Sequence, residues 1–413
     1  YDVSPDRRTY TFRLRDGLMW HDNTPVTADD VVASIRRWGA RDGVGQAMMA
    51  NAQSLRAADA RPVVLQLRRP DAFVLHELGK ISSNVPFMMP RRLAEANPTT
   101  PLTTPIGSGP FRFVAGEFRP GQRAVYERFA GYVPRSEPTS LAAGSRQGQV
   151  DRIEWIAYPN REAAVQALRR NEVQYVESPA PQSVAALRQD PDIRVGFTDP
   201  AGNIGMAVFN QHVAPFNNVQ MRRAVVTALS QEDAMTAAFG ADRTLWRSCF
   251  SIYPCGTAYA GDTRSQLMRS ANVAAARQML QRARYNGEPI VVLNPTDNAV
   301  ISAWTQSTVR RLREIGMNVQ VEDMTWDELV RPRNEAPGSP GLRPWHLFPT
   351  WWVAADMMNP LAIAFSGSHN RGWVSGHEDA RVEQLRRQFA ASRTPQQARA
   401  IAMQLQERLW ADA

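Results

Sequence analysis

Pro289-Ile-Val-Val-Leu293 is a short, unbroken apolar run, and Met317-Asn-Val-Gln-Val321, further along, alternates apolar and polar residues. Between them Val300, Ile301, Trp304, Thr308, Leu312 and Ile315 recur at helical spacing, and Gly316 supplies a stop signal. The pattern predicts strand, helix, strand. The first is a buried strand, and the next, joined to it by one helix, is expected to lie parallel through a right-handed crossover. This stretch makes the second half of the chain α/β.

Working towards the amino end, Arg152-Ile-Glu-Trp-Ile-Ala-Tyr158 predicts a strand, and Asn160 caps a short helix carrying Val165 and Leu168. Residues 111–128 predict a hairpin turning at Pro120-Gly121, and residues 131–150 a crossing surface segment. Residues 97–110 form a loop rich in proline. Residues 9–15 alternate, with Tyr10, Phe12 and Leu14 on one face, so they predict a half-buried strand. Asp16-Gly17 is a turn, Thr27 with Asp30 is a helix start, and residues 28–38 follow at helical spacing. Residues 62–69 predict another strand. Towards the carboxyl end two helices are expected, near 379–391 and 395–410. At least two separate sheets are implied.

The chain has 413 residues, 43% of them hydrophobic and 21% charged. That is ordinary for a globular protein and argues against global disorder. No run approaches the roughly 18 apolar residues of a membrane span. The net charge is +8, and Lys80 is the one lysine among 48 basic residues. Arginine is scattered as singles and pairs, such as Arg7-Arg8 and Arg386-Arg387, close to acids. A nucleic-acid binder concentrates its excess in a patch or tail, so none is expected here. Cys249 and Cys255 are the two cysteines. They lack neighbouring histidines for zinc, and five residues separate them where a redox dithiol has two. A short-loop disulfide in an oxidising compartment fits; two separate buried thiols is the other reading. The first residue is Tyr1, and the last residues stop within a helical pattern, so both ends are expected to be cut.

Catalytic signals are sparse. The chain has no Gly-x-Ser-x-Gly, Walker, Gly-x-Gly-x-x-Gly or His-Glu-x-x-His motif. His369 and His377 are a weak metal pair, read as loop histidines; His21-Asp22 is read as a structural loop pair. Asp29-Asp30 and Glu232-Asp233 sit at helix starts, where the helix dipole favours acids. The unusual segment runs from Leu347 through Trp351-Trp352 to Asp356 and Asn359-Pro360. An acid among aromatic residues needs a partner, either an internal arginine or a ligand cation. Trp351 and Trp352 offer flat walls for such a ligand.

Tyr10-Thr-Phe-Arg-Leu-Arg-Asp-Gly17 followed by Trp20-His-Asp-Asn-Thr-Pro-Val-Thr-Ala-Asp-Asp-Val-Val32 resembles the signature of the peptide-type (dipeptide, oligopeptide and nickel, family 5) extracellular solute-binding proteins of ABC transporters. Gly107-Ser-Gly-Pro-Phe111 resembles that family's Gly-Thr-Gly-Pro-Tyr/Phe. Phe209-Asn210, with Pro215-Phe216-Asn-Asn-Val-Gln-Met-Arg-Arg-Ala224, and Ala355-Asp356-Met-Met-Asn359-Pro360 resemble further blocks, in the family's order.

The resemblance implies a two-lobed α/β fold of the periplasmic-binding-protein kind (type II), with an extra domain inserted in lobe one and truncation at both ends. Residues 1–150 would hold the extra domain and part of lobe one, 151–245 an α/β section of lobe one, and 246–413 lobe two. Roughly 60–80 residues would precede Tyr1. The implied protein is a monomeric, non-enzymatic receptor without cofactor or metal, located in the periplasm or outside the cell. Its partners would be a peptide or small-molecule ligand and an inner-membrane ABC permease. Asp356 would hold a ligand ammonium. Trp351, Trp352 and Trp373 would wall the ligand, and Gly202, Asn203 and Asn294 would bind its polar atoms. Dipeptide binders place an arginine before the long helix of lobe two. Here Leu293-Asn-Pro-Thr-Asp-Asn298 has none, and Asp297 is the nearest acid, which points to a ligand with more positive charge or an amide end. Asn359 stands where the family carries Asp. The alternatives are a binder of a nickel chelate, opine or sugar on the same fold, the solute-binding half of a transcription regulator, or a hydrolase using His21-Asp22.

Overall fold

The computed structural model describes residues 1–412 apart from 81, 83, 141–142, 263–264, 266–268, 335–343 and 369–373. The chain divides into two compact units, Tyr1–Val176 and Glu177–Ala413.

In the first unit, β1 (Asp2–Val3), β2 (Thr9–Arg13), β3 (Ala52–Ala57) and β4 (Pro62–Leu67) form an antiparallel sheet in the order β1-β2-β4-β3. The alternation read at 9–15 places Tyr10 opposite Leu65, and both are almost fully buried. The Ala28–Gly39 helix lays Val32, Ile35 and Trp38 onto the same core. Its start is the expected Thr27/Asp30 capping box, a motif worth about 1 kcal/mol. Asp30 also accepts from Trp20 Nε1 at 3.2 Å and from Arg91 N at 2.6 Å, which locks the Trp20 loop to the helix start. His21 Nε2 meets Gly109 O at 3.0 Å, its Nδ1 accepts from Gly107 N at 3.3 Å, and burial lowers its pKa. Asp22 bonds instead to Thr24 and Arg92. Both side chains hold loop contacts.

A second antiparallel sheet in this unit has the order β5-β6-β7, from β5 (Phe111–Phe113), β6 (Arg123–Arg128) and β7 (Arg152–Ile156). The expected hairpin is β5–β6, with Gly121 at φ +70°. Asn160 caps the Arg161–Arg169 helix through Ala163 N.

The second unit is built on β8 (Asn203–Phe209), β9 (Ile290–Pro295), β10 (Val319–Met324) and β11 (Leu347–Val353), in the order β10-β9-β11-β8. β9 and β10 are parallel, with Val319 opposite Ile290, as the opening stretch predicts. The Ala299–Glu314 helix, capped by Asn298, joins them, and Gly316 takes φ +99°. Val309, Leu312 and Ile315 pack with Ile290, Val292, Val319 and Leu347 on one face of the sheet. Val291, Leu293, Phe348, Leu329 and Trp345 pack on the other. A strand buried on both faces reads as a continuous apolar run, which is why β9 was legible. Residues 203–209, expected with the first lobe, pair along their whole length with β11. The boundary expected at 245 therefore falls inside the second unit, because a partner strand distant in sequence leaves no local trace.

Cys249 and Cys255 form a disulfide, with Cα atoms 5.8 Å apart. The two closing helices are Ala380–Ala390 and Pro395–Asp412.

Candidate functional site

Because β9, β10 and β11 run parallel, their carboxyl ends share one edge of the sheet. β8 runs against β11, so its first residue, Asn203, lies at that edge opposite Val353. In open α/β sheets the crevice beyond the carboxyl ends of the strands is where ligands bind. Backbone and side-chain bonds tie the loops together there. Ala354 N donates to Gly202 O at 2.9 Å, Thr296 N to Met324 O at 2.9 Å, and Trp326 N to Asp297 Oδ1 at 2.9 Å. Asn294 Nδ2 donates to Asp323 Oδ1 at 2.6 Å.

Most of the expected site residues gather at this edge. Gly202 has φ +67°, a left-handed conformation that turns the chain into β8. Asn203 is exposed at the strand's start. Asp297 is exposed and occupied by the Trp326 amide. Asn294 is buried: its amide nitrogen is engaged by Asp323, and its Oδ1 has no hydrogen-bond partner among the described residues. Asp356 sits half-buried on the 3-10 turn Ala354–Met357, directly after β11. Trp373 and His369 lie outside the described residues.

The tryptophan pair differs from expectation. Successive residues of a strand point to opposite faces, so Trp351 and Trp352 do not wall one pocket from the same side. Trp351 shares its face with Trp304, the rings edge to face with centroids 6.1 Å apart. Trp304 lies over Gly205, the residue opposite Trp351 in the ladder, where a Cβ would come within 2.9 Å of the indole Cη2. The missing side chain at Gly205 makes room for the second indole. Trp304 showed in the sequence only as a position in a helical repeat.

One other cluster of titratable groups stands out among the described residues. His377, Asp379 and Asp412 bring donor atoms within 4.8 Å of one another. Both carboxylates already have cations: Arg408 on Asp379 at 2.5 Å, and Arg222 on Asp412 at 3.5 Å. Burial lowers the pKa of His377. Two guanidiniums would compete with any metal ion, and the cluster joins the Val219–Ala228, Ala380–Ala390 and Pro395–Asp412 helices.

Residues 1–370 match the family model of bacterial extracellular solute-binding proteins, family 5 Middle. The chain is 32% identical to the probable peptide ABC transporter periplasmic-binding protein y4tO of Sinorhizobium fredii, over 99% of this chain and 77% of that one. Among solved structures, the periplasmic binding protein DppA of Helicobacter pylori in complex with the peptide STSA superposes with a TM-score of 0.81 at 20% identity, covering 100% of this chain and 80% of that one. AgaA of A. tumefacien R10, in complex with agropinic acid, gives the same TM-score and identity over 100% and 79%. The fold is that of the two-lobed periplasmic binding proteins.

Proposed function

We propose that this chain, which belongs to the family 5 bacterial extracellular solute-binding proteins, captures a peptide or related small cationic solute at the carboxyl edge of its mixed sheet. It delivers that solute to an ABC permease in the membrane. It works in the periplasm as a monomeric receptor, without a catalytic step.

One observation carries the choice of ligand charge. The chain as a whole is basic, at +8. Yet segments 199–203, 294–298, 322–328 and 353–360 hold Asp199, Asp297, Glu322, Asp323, Asp327, Glu328 and Asp356, and no lysine or arginine. Asp297, Asp327 and Glu328 also complement helix starts. Asp356 lies in the first turn of the Ala354–Met357 3-10 helix, and Asp323 starts no helix. An edge of this sign attracts an ammonium or guanidinium and repels a free carboxylate. Asp356 anchors the ligand's amine, and Trp351 with Trp304 gives the apolar flank. Trp352 and Trp373 belong to the reading as further walls, Gly202 and Asn203 as main-chain and amide contacts, and Asn294 as the support that fixes Asp323.

The second reading on the same fold is a binder of an opine, sugar or nickel chelate. The absence of a basic residue at 294–298 counts against a free dipeptide, whose carboxylate would have no cation there. Calorimetric titration with trialanine, trialanine amide and N-acetyl-trialanine separates the readings. The free-amine peptides bind about 10- to 100-fold more tightly than the acetylated one, the effect of one charge-assisted hydrogen bond. Equal affinities for all three rule out amine anchoring.

A further inference from the structure

We propose that Arg386 is a positioning residue for the Asp356 segment and sets how strongly the protein prefers a ligand with a free amine. The proposal rests on the reading of Asp356 given above. Arg386 belongs to the Ala380–Ala390 helix, far along the chain from the anchor, and its side chain is only 13% exposed. Its guanidinium reaches three consecutive carbonyls: Nη1 donates to Pro360 O at 2.5 Å and to Ala362 O at 2.7 Å, and Nη2 donates to Leu361 O at 3.2 Å. Its Nε faces Glu383 Oε1 at 3.2 Å, one helical turn back. That same carboxylate oxygen accepts from Ser366 Oγ at 3.1 Å and from Gly367 N at 2.9 Å.

One ion pair on one helix therefore fixes the backbone at 360–362 and again at 366–367. Between Val353 and Gly367 the local structure consists of two short 3-10 turns, which cannot hold a geometry unaided. Asn359 adds one local bond, accepting from Leu361 N at 2.8 Å. Pro360 and Ala362 are buried; without the guanidinium the Pro360 carbonyl would lose its hydrogen-bond partner, and Ala362 O would keep only the Phe365 amide at 3.1 Å. A lysine offers a point charge on a flexible stem, whereas the planar five-donor fork of arginine spans all three acceptors. A carboxylate discriminates an ammonium from an acetylated nitrogen only if its supporting backbone holds it in place, and Arg386 supplies that support.

The test uses Arg386→Lys and Arg386→Met, with the exposed neighbour Arg387→Lys as control. Two quantities are measured: hydrogen exchange at the Leu361–Phe365 amides, and the ratio of affinities for trialanine and N-acetyl-trialanine. Arg386→Lys keeps a cooperative melt, speeds exchange in that stretch by about tenfold or more, and lowers the affinity ratio by about tenfold, while Arg387→Lys changes neither. Should Arg386→Met fail to fold, Arg386→Lys alone decides. A folded Arg386→Lys with wild-type exchange overturns the proposal. So does an equal loss of affinity for both peptides, which a general structural role would give. A wild-type protein with no amine preference removes the Asp356 reading and, with it, the role in selectivity. The exchange data involve no ligand, so they tell that failure apart from an absent clamp.

Discussion

Charge is handled in opposite ways at two places in this molecule. Over the β5-β6-β7 sheet, Glu117, Glu127 and Glu154 interleave with Arg123 and Arg152. Arg152 lies 2.6 Å from Glu117 and 2.8 Å from Glu154, and Arg123 lies 2.8 Å from Glu154. Every acid in that lattice has a guanidinium. At the carboxyl edge of the mixed sheet, Asp297 is met by a backbone N–H and Asp323 by a side-chain amide. Neither forms an ion pair among the described residues. A chain rich in arginine has the means to neutralise any surface it presents. Where it does so, the charge is structural; where Asp297 and Asp323 are met by neutral donors instead, the proposed reading leaves their charge for an arriving ligand.

The sharpest way to break the contrast is to remove one acid from each place. Asp356→Asn lowers the affinity for trialanine by about 10- to 100-fold, the loss of one charge-assisted bond. Glu154→Gln leaves that affinity unchanged. Both are read by calorimetry on the full chain. A drop of equal size in the two variants would mean that overall charge, not a placed carboxylate, governs binding.

The next test concerns the apolar flank. Gly205→Ala places a Cβ 2.9 Å from the Trp304 ring, beneath the Trp351 contact. Trp304 is packed by Phe239 and Trp351 and has little room to retreat. The strain costs about 1–3 kcal/mol in urea unfolding. A variant as stable as wild type would show that the indole shifts freely.

These elements were not equally legible in the sequence. Strand β9 stood out because both faces are covered, β10 because it follows the helical repeat and the Gly316 stop, and β2 because one face is covered and the other wet. β11 was seen as an odd aromatic segment, not as a strand. Pro349 inside it argues against a central strand, and its ladder with β9 is confined to Leu347↔Val292. β8 was missed because a weakly patterned run, Asn203 to Phe209, becomes a strand only by pairing with residues some 140 positions away. Family-like blocks located Asp356, and strand ends brought Gly202, Asn203, Asn294 and Asp297 to the same edge. Trp351 and Trp352 were paired because they are adjacent in sequence, but strand alternation separates them. Trp304 and Arg386 carried no signal: one looked like core, the other like any of 47 arginines.

A third acid sharpens the comparison, since a carboxylate without a cation need not be awaiting a ligand. Glu77, in the first unit, is 7% exposed, and its Oε2 has no partner among the described residues. Burial, with Asp71 and Asp42 nearby, raises its pKa well above the ordinary value of 4.5. A raised folded-state value contributes stability that is fully present below the unfolded pKa and is lost as the pH rises through the folded one. Glu77→Gln therefore matches wild type at pH 4 and melts higher than wild type at pH 8. Should Glu77→Gln lose stability at pH 8, the carboxylate has a cation after all.

The smallest effect is expected in the lattice itself. Arg152→Gln removes the guanidinium shared by Glu117, Glu127 and Glu154, all of which are more than a third exposed. Exposed ion pairs gain little, because water and salt screen them and long side chains lose freedom in forming them. The melting temperature of Arg152→Gln should fall by about 1–2 °C in dilute buffer, and by less in 0.5 M salt. The affinity for trialanine should not move in either buffer. On the proposed reading, binding at the carboxyl edge should by contrast weaken as salt rises, because there a cation comes with the ligand. If Arg152→Gln instead proved strongly destabilising in high salt, the lattice would be holding the sheet together by packing of the arginine stems. Its charges would then say nothing about why the other edge has been left acidic.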